Sequence, residues 1–174
     1  MANPDFDSIR RAMVDSQLRT SGVTEGWILA AMGSAPRESY VPAECAATCY
    51  NDRPVSLGNG RAINPPLVNA LMLQAAEVQP GDNVLLIADS SGYVAHLLKS
   101  RAANVTSIDA DANGSEGSYD LVYIDGAFEQ LPEALVANVV EGGRIVAGQI
   151  DGAVTRLALG QVRNGRVAMR PFAE

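Results

Sequence analysis

An uninterrupted apolar run, Val84 to Ala88, is the feature that most restricts the fold of this 174-residue chain. Turn residues bound the run on both sides, Pro80 to Asp82 before it and Asp89 to Gly92 after it. Consecutive apolar residues between two turns are typical of a strand that is buried on both faces. The run therefore predicts the central strand of a sheet that is covered by other elements.

The remaining elements around this run alternate between helix and strand. Helices are predicted at Leu67–Val78, Tyr93–Ser100 and Leu131–Val140, and further strands at Val105–Ile108, Leu121–Ile124 and Arg144–Ala147. Such alternation predicts an α/β fold, a doubly wound, Rossmann-like parallel sheet with helices on both faces. The chain ends differently, because Asn164-Gly165 separates two apolar segments, Val154–Val162 and Val167–Phe172. Asn-Gly favours a tight turn, so an antiparallel hairpin is predicted at this end.

The first third of the chain predicts a helical cap. Asp7 is the expected N-cap of a first helix that stops at Gly22, and Thr24 is the expected N-cap of a second. The turn-rich segment Pro36–Pro66 follows, and a loop of this length in a compact protein usually has a function. We expect a single domain, 1–174, in which 1–66 form the helical cap and the loop and 67–174 the α/β core.

Composition excludes several classes of protein. The chain has 13 basic and 20 acidic residues, a net charge of −7, which disfavours general nucleic-acid binding because that needs clustered lysine and arginine. The sequence has no apolar run long enough to span a membrane, and Met1–Asp7 do not resemble a signal peptide. Cys45 and Cys49 are too few for a disulfide framework. We expect a cytoplasmic protein that binds neither membranes nor nucleic acid.

The ends of the predicted strands carry the candidate binding residues. In an open α/β sheet, ligands bind beyond the carboxyl ends of the strands. The loop after the first strand, Asp89 to Tyr93, reaches that edge, and Asp109 ends the next strand. An acidic residue there is the usual partner of the ribose hydroxyls of a nucleotide-like cofactor, although a solvated strand-end carboxylate is an equal alternative. Asp125 and Gly126 reach the same edge, where Asp125 either lines the site or caps a turn.

Several sequence motifs point to one family. They are Met13-Val14-Asp15-Ser16-Gln17-Leu18, Pro36-Arg37-Glu38-Ser39-Tyr40-Val41-Pro42, the segment Asn51 to Pro66, Pro80-Gly81-Asp82, and Glu141-Gly142-Gly143-Arg144-Ile145-Val146. In this order and spacing they resemble the protein-L-isoaspartate O-methyltransferase family. The resemblance extends from about Ile9 to Phe172.

This resemblance implies methyl transfer from S-adenosyl-L-methionine (SAM) to the carboxylate of an isoaspartyl residue in a damaged protein. It implies a substrate-binding lid formed by Gly58, Asn59, Gly60, Arg61 and Ala62. Arg61 either pairs with a substrate carboxylate or is a solvated loop charge. It further implies cofactor contacts from Ile63, Asp89, Ser91, Gly92, Tyr93, Asp109, Asp125 and Gly126, and it places Asn64 at the catalytic position.

The chain departs from the family at two of these places. The family has a serine, regarded as catalytic, where this chain has Asn64, which lacks a hydroxyl but still forms hydrogen bonds. The family's cofactor loop has a Gly-x-Gly-x-Gly pattern, whereas here Ala88 and Ser90 replace two glycines. Glycine permits positive φ and close backbone approach, so these Cβ atoms predict weaker SAM binding. The negative charge of Asp89 also disfavours the carboxylate of the methionine moiety, although it could hold the amino group of that moiety.

The third departure is the short interval between Asp109 and Tyr119. Only nine residues, 110–118, occupy a place where the family normally has a helix, a strand and an acidic adenine-contacting loop. A parallel crossover with its own helix needs at least about 10–12 residues, so one helix–strand unit is expected to be absent. The strand that ends at Asp109 then becomes a sheet edge, and such edges recruit partners. A dimer or another partner over this edge is the corresponding hypothesis.

Two functions remain open at this point. The first is a SAM-dependent carboxyl methyltransferase that repairs isoaspartyl proteins. The second is a catalytically degenerate relative that acts as a peptide-binding or interaction module. The lid and Asp109 favour the enzyme, whereas Ala88, Ser90 and the short interval favour the module. No metal site is expected, since Cys45 and Cys49 lack a second ligand pair and His96 more often serves as a packed or surface residue.

Overall fold

The computed structural model describes residues 4–112 and 115–174. The chain forms two compact units. The first contains the chain up to Gln74 together with Ser90–Ser100, and the second contains Ala75–Asp89 together with Arg101–Glu174. The predicted arrangement in one domain stays a prediction.

The first helix of the first unit, α1, spans Phe6–Met13. The chain continues from it through a wider helical turn and a 3-10 turn, Arg19–Ser21, and stops at Gly22. Gly22 has φ +88°, a left-handed conformation that favours glycine, so the predicted stop is confirmed. The N-cap is Asp5, whose carboxylate accepts the N–H of Ser8 at 3.2 Å.

Two of the predicted helix caps are wrong. Asp7 lies inside the first turn of α1, where its carboxylate pairs with Arg10 at 2.9 Å. The second helix, α2, spans Gly26–Ser34 and has no side-chain cap. Thr24 does not cap it, and the backbone N–H of Thr24 donates to Oε1 of Gln74 at 2.8 Å. Asp5 takes the role expected of Asp7, whereas no side chain takes the role expected of Thr24.

A two-stranded hairpin and two further helices also belong to the first unit. The turn-rich segment contains an antiparallel hairpin of β1, Val55–Gly58, and β2, Arg61–Ile63. Helix α3 spans Pro66–Ala76, its last two residues belonging to the second unit, and ends two residues earlier than predicted. Glu77 has φ +48°, which a helix cannot continue through. Helix α4 spans Tyr93–Lys99, as predicted to within one residue.

The second unit is built on one sheet. Its strands are β3 (Asn83–Ile87), β4 (Asn104–Ile108), β5 (Tyr119–Phe128), β6 (Val139–Asp151), β7 (Val154–Arg163), β8 (Arg166–Val167) and β9 (Arg170–Ala173). The sheet order is β4-β3-β5-β6-β7-β8, with β9 also paired to β7. The first four strands are parallel, whereas β7, β8 and β9 pair antiparallel. This mixed α/β sheet confirms the predicted fold class.

The central apolar run behaves as its sequence predicts. Leu85 and Ile87 of β3 face a core that also contains Leu135 and Val136 of a short helix, α5 (Glu133–Ala137). Val84 and Leu86 alternate with them and are equally buried. Both faces of β3 are therefore withdrawn from water, which explains why its sequence does not alternate with polar residues.

The end of the chain is more extended than predicted. The helix expected at Leu131–Val140 is only α5, because Val139 already begins β6. A tight turn at Gly152-Ala153 joins β6 to β7, and Gly152 has φ +61°. This second hairpin was not predicted. The predicted hairpin at Asn164-Gly165 is confirmed, and both turn residues have positive φ.

Strand β4 lies at the end of the sheet order, so the expected edge strand is present. Its burial is slight, since Asn104, Thr106 and Ser107 are exposed. Among the described residues the longest α-helix, α3, has 11 residues, and none of the helices there could cross a membrane.

Candidate functional site

Three carboxylates follow the adjacent strands of the second unit. Ile87 pairs in register with Ile108 of β4 and with Ile124 of β5, so the three strands reach the same level. Asp109 and Asp125 come immediately after the two partner residues, and Asp89 follows Ile87 by two positions. These three carboxylates thus form the acidic edge that the sequence predicts, beyond the ends of β4 and β3 and at the same level of β5.

Asp125 and Gly126 lie inside β5 at an irregularity. The pairing of β5 with β6 shifts register between Tyr123 and Ala127, which is a β-bulge. Asp125 is 9% exposed, and the strand continues beyond it to Phe128. The alternative that Asp125 caps a turn at the end of its strand is therefore wrong. Bulges often re-aim a side chain next to a functional site, and this one includes the predicted site residue.

The loop after β3 has a strained backbone at its first residue. Ala88 has φ +65°, although a Cβ atom makes this region unfavourable by roughly 1–2 kcal/mol. Its N–H donates to the carbonyl oxygen of Ile108 at 3.1 Å. The chain has thus kept a glycine-like conformation at a place where the family resemblance implies glycine.

Replacing Ala88 by glycine should stabilise the protein by about 1 kcal/mol, because relief of the left-handed strain exceeds the extra entropy of an unfolded glycine. The melting temperature should rise by ~2–4 °C for a chain of this size. Ala127→Gly is the matched control, since Ala127 lies in β5 outside the residues of positive φ and should lose about 0.5–1 kcal/mol. Equal destabilisation by both substitutions, measured by thermal unfolding, would contradict the assigned strain.

In the first unit, the residues before α4 form a compact turn. Gly92 has φ +85° and precedes the helix, and the hydroxyl of Ser91 accepts the N–H of Tyr93 at 3.0 Å. The ring of Tyr93 is fully buried, and this burial raises the pKa of its phenol to about 12. The cofactor contact predicted for Tyr93 stays a prediction.

The predicted lid is the tip of the β1–β2 hairpin. Gly58, Asn59 and Gly60 have φ values of +83°, +52° and +73°, so three successive residues are left-handed. A side chain at either glycine would have no steric neighbour, which makes conformation rather than space the reason for glycine. Arg61 and Ala62 are exposed, as a substrate-facing surface requires.

Asn64 follows the lid and is fixed through its main chain. Ile63, immediately before it, is buried and anchors the hairpin. The carbonyl oxygen of Asn64 accepts a hydrogen bond from Nη2 of Arg37 at 2.5 Å. The position predicted as catalytic is thus attached to the most deeply buried cation of this unit.

Arg37 connects several segments of the first unit. Its Nε donates to the carbonyl oxygen of Cys49 at 2.7 Å, and its Nη1 donates to Oδ1 of Asn69 at 3.3 Å. The guanidinium also lies over the Tyr93 ring, 5.0 Å from the centroid. The sequence analysis assigns no role to Arg37. The sequence indicates its importance only by its position in the motif Pro36 to Pro42.

A second buried cluster holds the start of the chain. Nη2 of Arg10 donates to Glu38 at 3.0 Å, and its Nε donates to the hydroxyl of Tyr50 at 3.1 Å. The Tyr50 hydroxyl in turn donates to Glu38. Burial raises the pKa of Glu38, but hydrogen bonds from Tyr50 and Arg10 outweigh it and leave this pKa below its ordinary value. The cluster is structural, and its charges are mutually satisfied.

The remaining candidate groups are accounted for by packing. Nδ1 of His96 shares a hydrogen bond with the hydroxyl of Tyr40 at 2.6 Å. Cys49 is buried, which raises the pKa of its thiol to about 11, whereas Cys45 is partly exposed. Within residues 4–112 and 115–174, no group of three or more histidine, cysteine, aspartate or glutamate side chains could hold a metal ion.

A known family model matches this chain. The sequence model of "Protein-L-isoaspartate(D-aspartate) O-methyltransferase (PCMT)" matches residues 9–113. This range includes the predicted lid, the loop after β3 and Asp109, and it ends within the short interval before β5. The match therefore covers most of the predicted site residues but not Asp125 and Gly126.

Curated relatives extend the similarity. Protein-L-isoaspartate O-methyltransferase of Koribacter versatilis is 32% identical over 176 residues, covering 83% of this chain and 79% of the relative. That of Methylorubrum populi is 30% identical over 167 residues, covering 80% of this chain and 79% of the relative. Since 80% of 174 residues is about 139, the matched part of this chain is roughly 28 residues shorter than the 167-residue span of the match. This difference agrees with the absent helix–strand unit.

Solved structures share the fold. A Plasmodium falciparum structure, assigned as a protein-L-isoaspartate O-methyltransferase in complex with S-adenosyl-L-homocysteine, superposes with a TM-score of 0.78. It is 17% identical and is covered over 94% of its length by 95% of this chain. A second protein-L-isoaspartate O-methyltransferase structure gives a TM-score of 0.75 at 17% identity, with 94% of this chain and 63% of that chain covered.

Proposed function

Since this chain belongs to the protein-L-isoaspartate O-methyltransferase family, we propose that it methylates the carboxylate of isoaspartyl residues with SAM as methyl donor. The observation that carries this proposal is the family match over residues 9–113. Its matched residues include both a lid with a glycine-rich tip and an acidic strand end at Asp109.

The residues of the second unit fit part of a SAM site. Ala88 keeps the positive φ of a glycine, and Asp109 presents an exposed carboxylate directly after β4. We assign Asp109 to the ribose hydroxyls of the cofactor, and we assign Asp89, Asp125 and Gly126 to the same strand-end edge. Within the first unit, the resemblance implies cofactor contacts from Ile63, Ser91, Gly92 and Tyr93, and the last three form the turn before α4.

The reaction mainly requires that the substrate carboxylate and the methyl donor are held in the correct position. SAM, when bound, supplies an electrophilic methyl group on a sulfonium. The substrate carboxylate would be the acceptor of this methyl group, and the chain's own residues would hold the two groups in line. The tip of the lid, Gly58, Asn59 and Gly60, with Ala62, would bind the peptide around the isoaspartyl residue, and Arg61 would pair with a substrate carboxylate. Asn64 would orient the reacting carboxylate through its amide.

The proposal is tested by calorimetric titration with S-adenosyl-L-homocysteine, followed by methyl transfer to a synthetic isoaspartyl peptide. We expect micromolar binding, about −8 kcal/mol, and methyl transfer that is absent for the matching aspartyl peptide. Asn64→Ser should raise the rate and Asn64→Ala should lower it, because only serine restores the hydroxyl implied by the family. A folded protein that binds the ligand but methylates neither peptide would overturn the assigned reaction.

One observation favours a second function. The matched part of the chain is shorter than its relatives, and the family model ends within the interval where a helix and a strand are expected. A protein that has lost part of its adenine site would act as a peptide-binding or interaction module. The lack of heat with millimolar S-adenosyl-L-homocysteine, from protein shown to be folded, would favour this module. A dimer or partner at the exposed edge of β4 and a cytoplasmic location remain part of the proposal.

A further inference from the structure

A cavity of about 740 Å³ in the second unit contains a concentration of positive charge. Four of its lining residues are arginines: Arg144, Arg163, Arg166 and Arg170. The chain has 13 basic residues and a net charge of −7, so nearly a third of its basic side chains converge on one cavity of an acidic protein.

The cavity lies at the other end of the sheet from the acidic edge that contains Asp109 and Asp125. Arg144 pairs in register with Leu121, near the start of β5, and its guanidinium donates to Asp82, just before β3 begins. Asp109 directly follows β4, and Asp125 lies at the same level in β5, one residue after Ile124. The amino ends of β3 and β5 therefore face the arginine cavity, and their carboxyl ends face the acidic edge.

Most of this positive charge has no carboxylate partner within the described residues. Asp82 pairs with Arg144, but none of the ion pairs among residues 4–112 and 115–174 includes Arg163, Arg166 or Arg170. The side chain of Arg163 donates to an amide oxygen, Oε1 of Gln161, at 2.9 Å. Glu77 also lines the cavity, so four guanidiniums face one lining carboxylate, and this excess of positive charge attracts an anion.

The hairpin at Asn164-Gly165 brings two of these charges together. Arg163 of β7 and Arg166 of β8 are directly opposite each other in its register. Like charges at such positions destabilise a hairpin. An anion bound between the two guanidiniums would attract both of them and offset their repulsion. Anion binding therefore explains this pair, whereas the stability of the hairpin does not.

We propose that this cavity binds a small organic phosphate of about nucleotide size. Guanidinium groups match phosphate oxygens with paired hydrogen bonds, which favours phosphate over a single carboxylate. Leu159, Val167 and Ala168 line the same cavity and offer an apolar surface for the organic part of the ligand. A volume of about 740 Å³ is in the range of small-molecule sites. This inference is independent of the proposed methyl transfer.

ADP and pyrophosphate are the probes, titrated calorimetrically with and without saturating S-adenosyl-L-homocysteine. We expect both probes to bind, and ADP to bind more tightly than pyrophosphate. Both affinities should fall as the salt concentration rises, and neither should change when S-adenosyl-L-homocysteine is present. The double substitution Arg166→Gln and Arg170→Gln should weaken the binding of ADP by about tenfold or more. Arg156→Gln is the matched control, because Arg156 lies on β7 and pairs with Asp151 and Glu174, outside the cavity lining.

Three results would overturn the proposal. They are no heat with millimolar ADP or pyrophosphate, an equal loss of affinity in the control variant, and displacement of ADP by S-adenosyl-L-homocysteine. Tighter binding of citrate than of pyrophosphate would overturn the preference for phosphate. Because these titrations need no methyl transfer, failure of the enzymatic assay leaves their interpretation intact.

Discussion

Arg37→Met is expected to lower the free energy of unfolding by about 3 kcal/mol. The substitution keeps an apolar stem of similar length but removes the donors to the carbonyl oxygens of Cys49 and Asn64 and to Oδ1 of Asn69. Buried acceptors that lose their donors cost about 1–3 kcal/mol each, and methionine cannot replace them. The Tyr93 ring also loses the guanidinium above it.

Urea denaturation at neutral pH measures this loss. Arg53→Met is the matched control, since Arg53 is exposed in the loop before β1 and its replacement should change stability by less than about 0.5 kcal/mol. Arg37→Lys should recover only part of the stability, because one ammonium cannot reproduce the fork that spans three acceptors. Wild-type stability of Arg37→Met would show that the network contributes nothing measurable.

The contacts of Arg37 indicate the structural role of the family motif Pro36 to Pro42. In Pro36 to Pro42, Arg37 ties together the base of the lid, Glu38 holds Arg10, and Tyr40 bonds His96. These side chains act mainly within the first unit. The motif thus encodes a partly buried hydrogen-bond network, and the sequence alone does not separate this structural role from a catalytic one.

The parts of the fold that were predicted depend on local patterns. The apolar run of β3, the left-handed stop at Gly22 and the turn at Asn164-Gly165 each follow from a few adjacent residues. The helix expected at Leu131–Val140 failed because β6 starts at Val139 and pairs there with Tyr119. Pairing between distant segments overrode the helical spacing of the local sequence.

The sequence also predicts only part of the candidate site. Parallel pairing places Asp109 and Asp125 at one edge as soon as the strand order is known, so topology alone suffices for them. The bulge at Asp125 and the arginine cavity were not predicted. Both depend on the register of β5, β6 and β7, which no short motif specifies.

Asp109→Ala is expected to weaken binding of S-adenosyl-L-homocysteine by roughly thirtyfold, about 2 kcal/mol. The carboxylate assigned to the ribose hydroxyls forms charge-assisted hydrogen bonds, and alanine leaves these hydroxyls without a partner. Since Asp109 is exposed, its removal should leave the melting temperature of the ligand-free protein unchanged. Titration calorimetry gives the affinity, and the ligand-induced rise in melting temperature should shrink in parallel.

Asp111→Ala provides the matched control for this loss. Asp111 is also an exposed carboxylate, two residues further along the same interval, so its removal changes the net charge by the same amount. A general electrostatic effect on the ligand would appear in both variants, whereas a ribose contact would appear only at Asp109. Equal affinities of wild-type and Asp109→Ala protein would remove Asp109 from the site. Any cofactor would then bind without the carboxylate of Asp109. Because the interval after β4 is short, the ribose contact would have to be sought elsewhere in the chain.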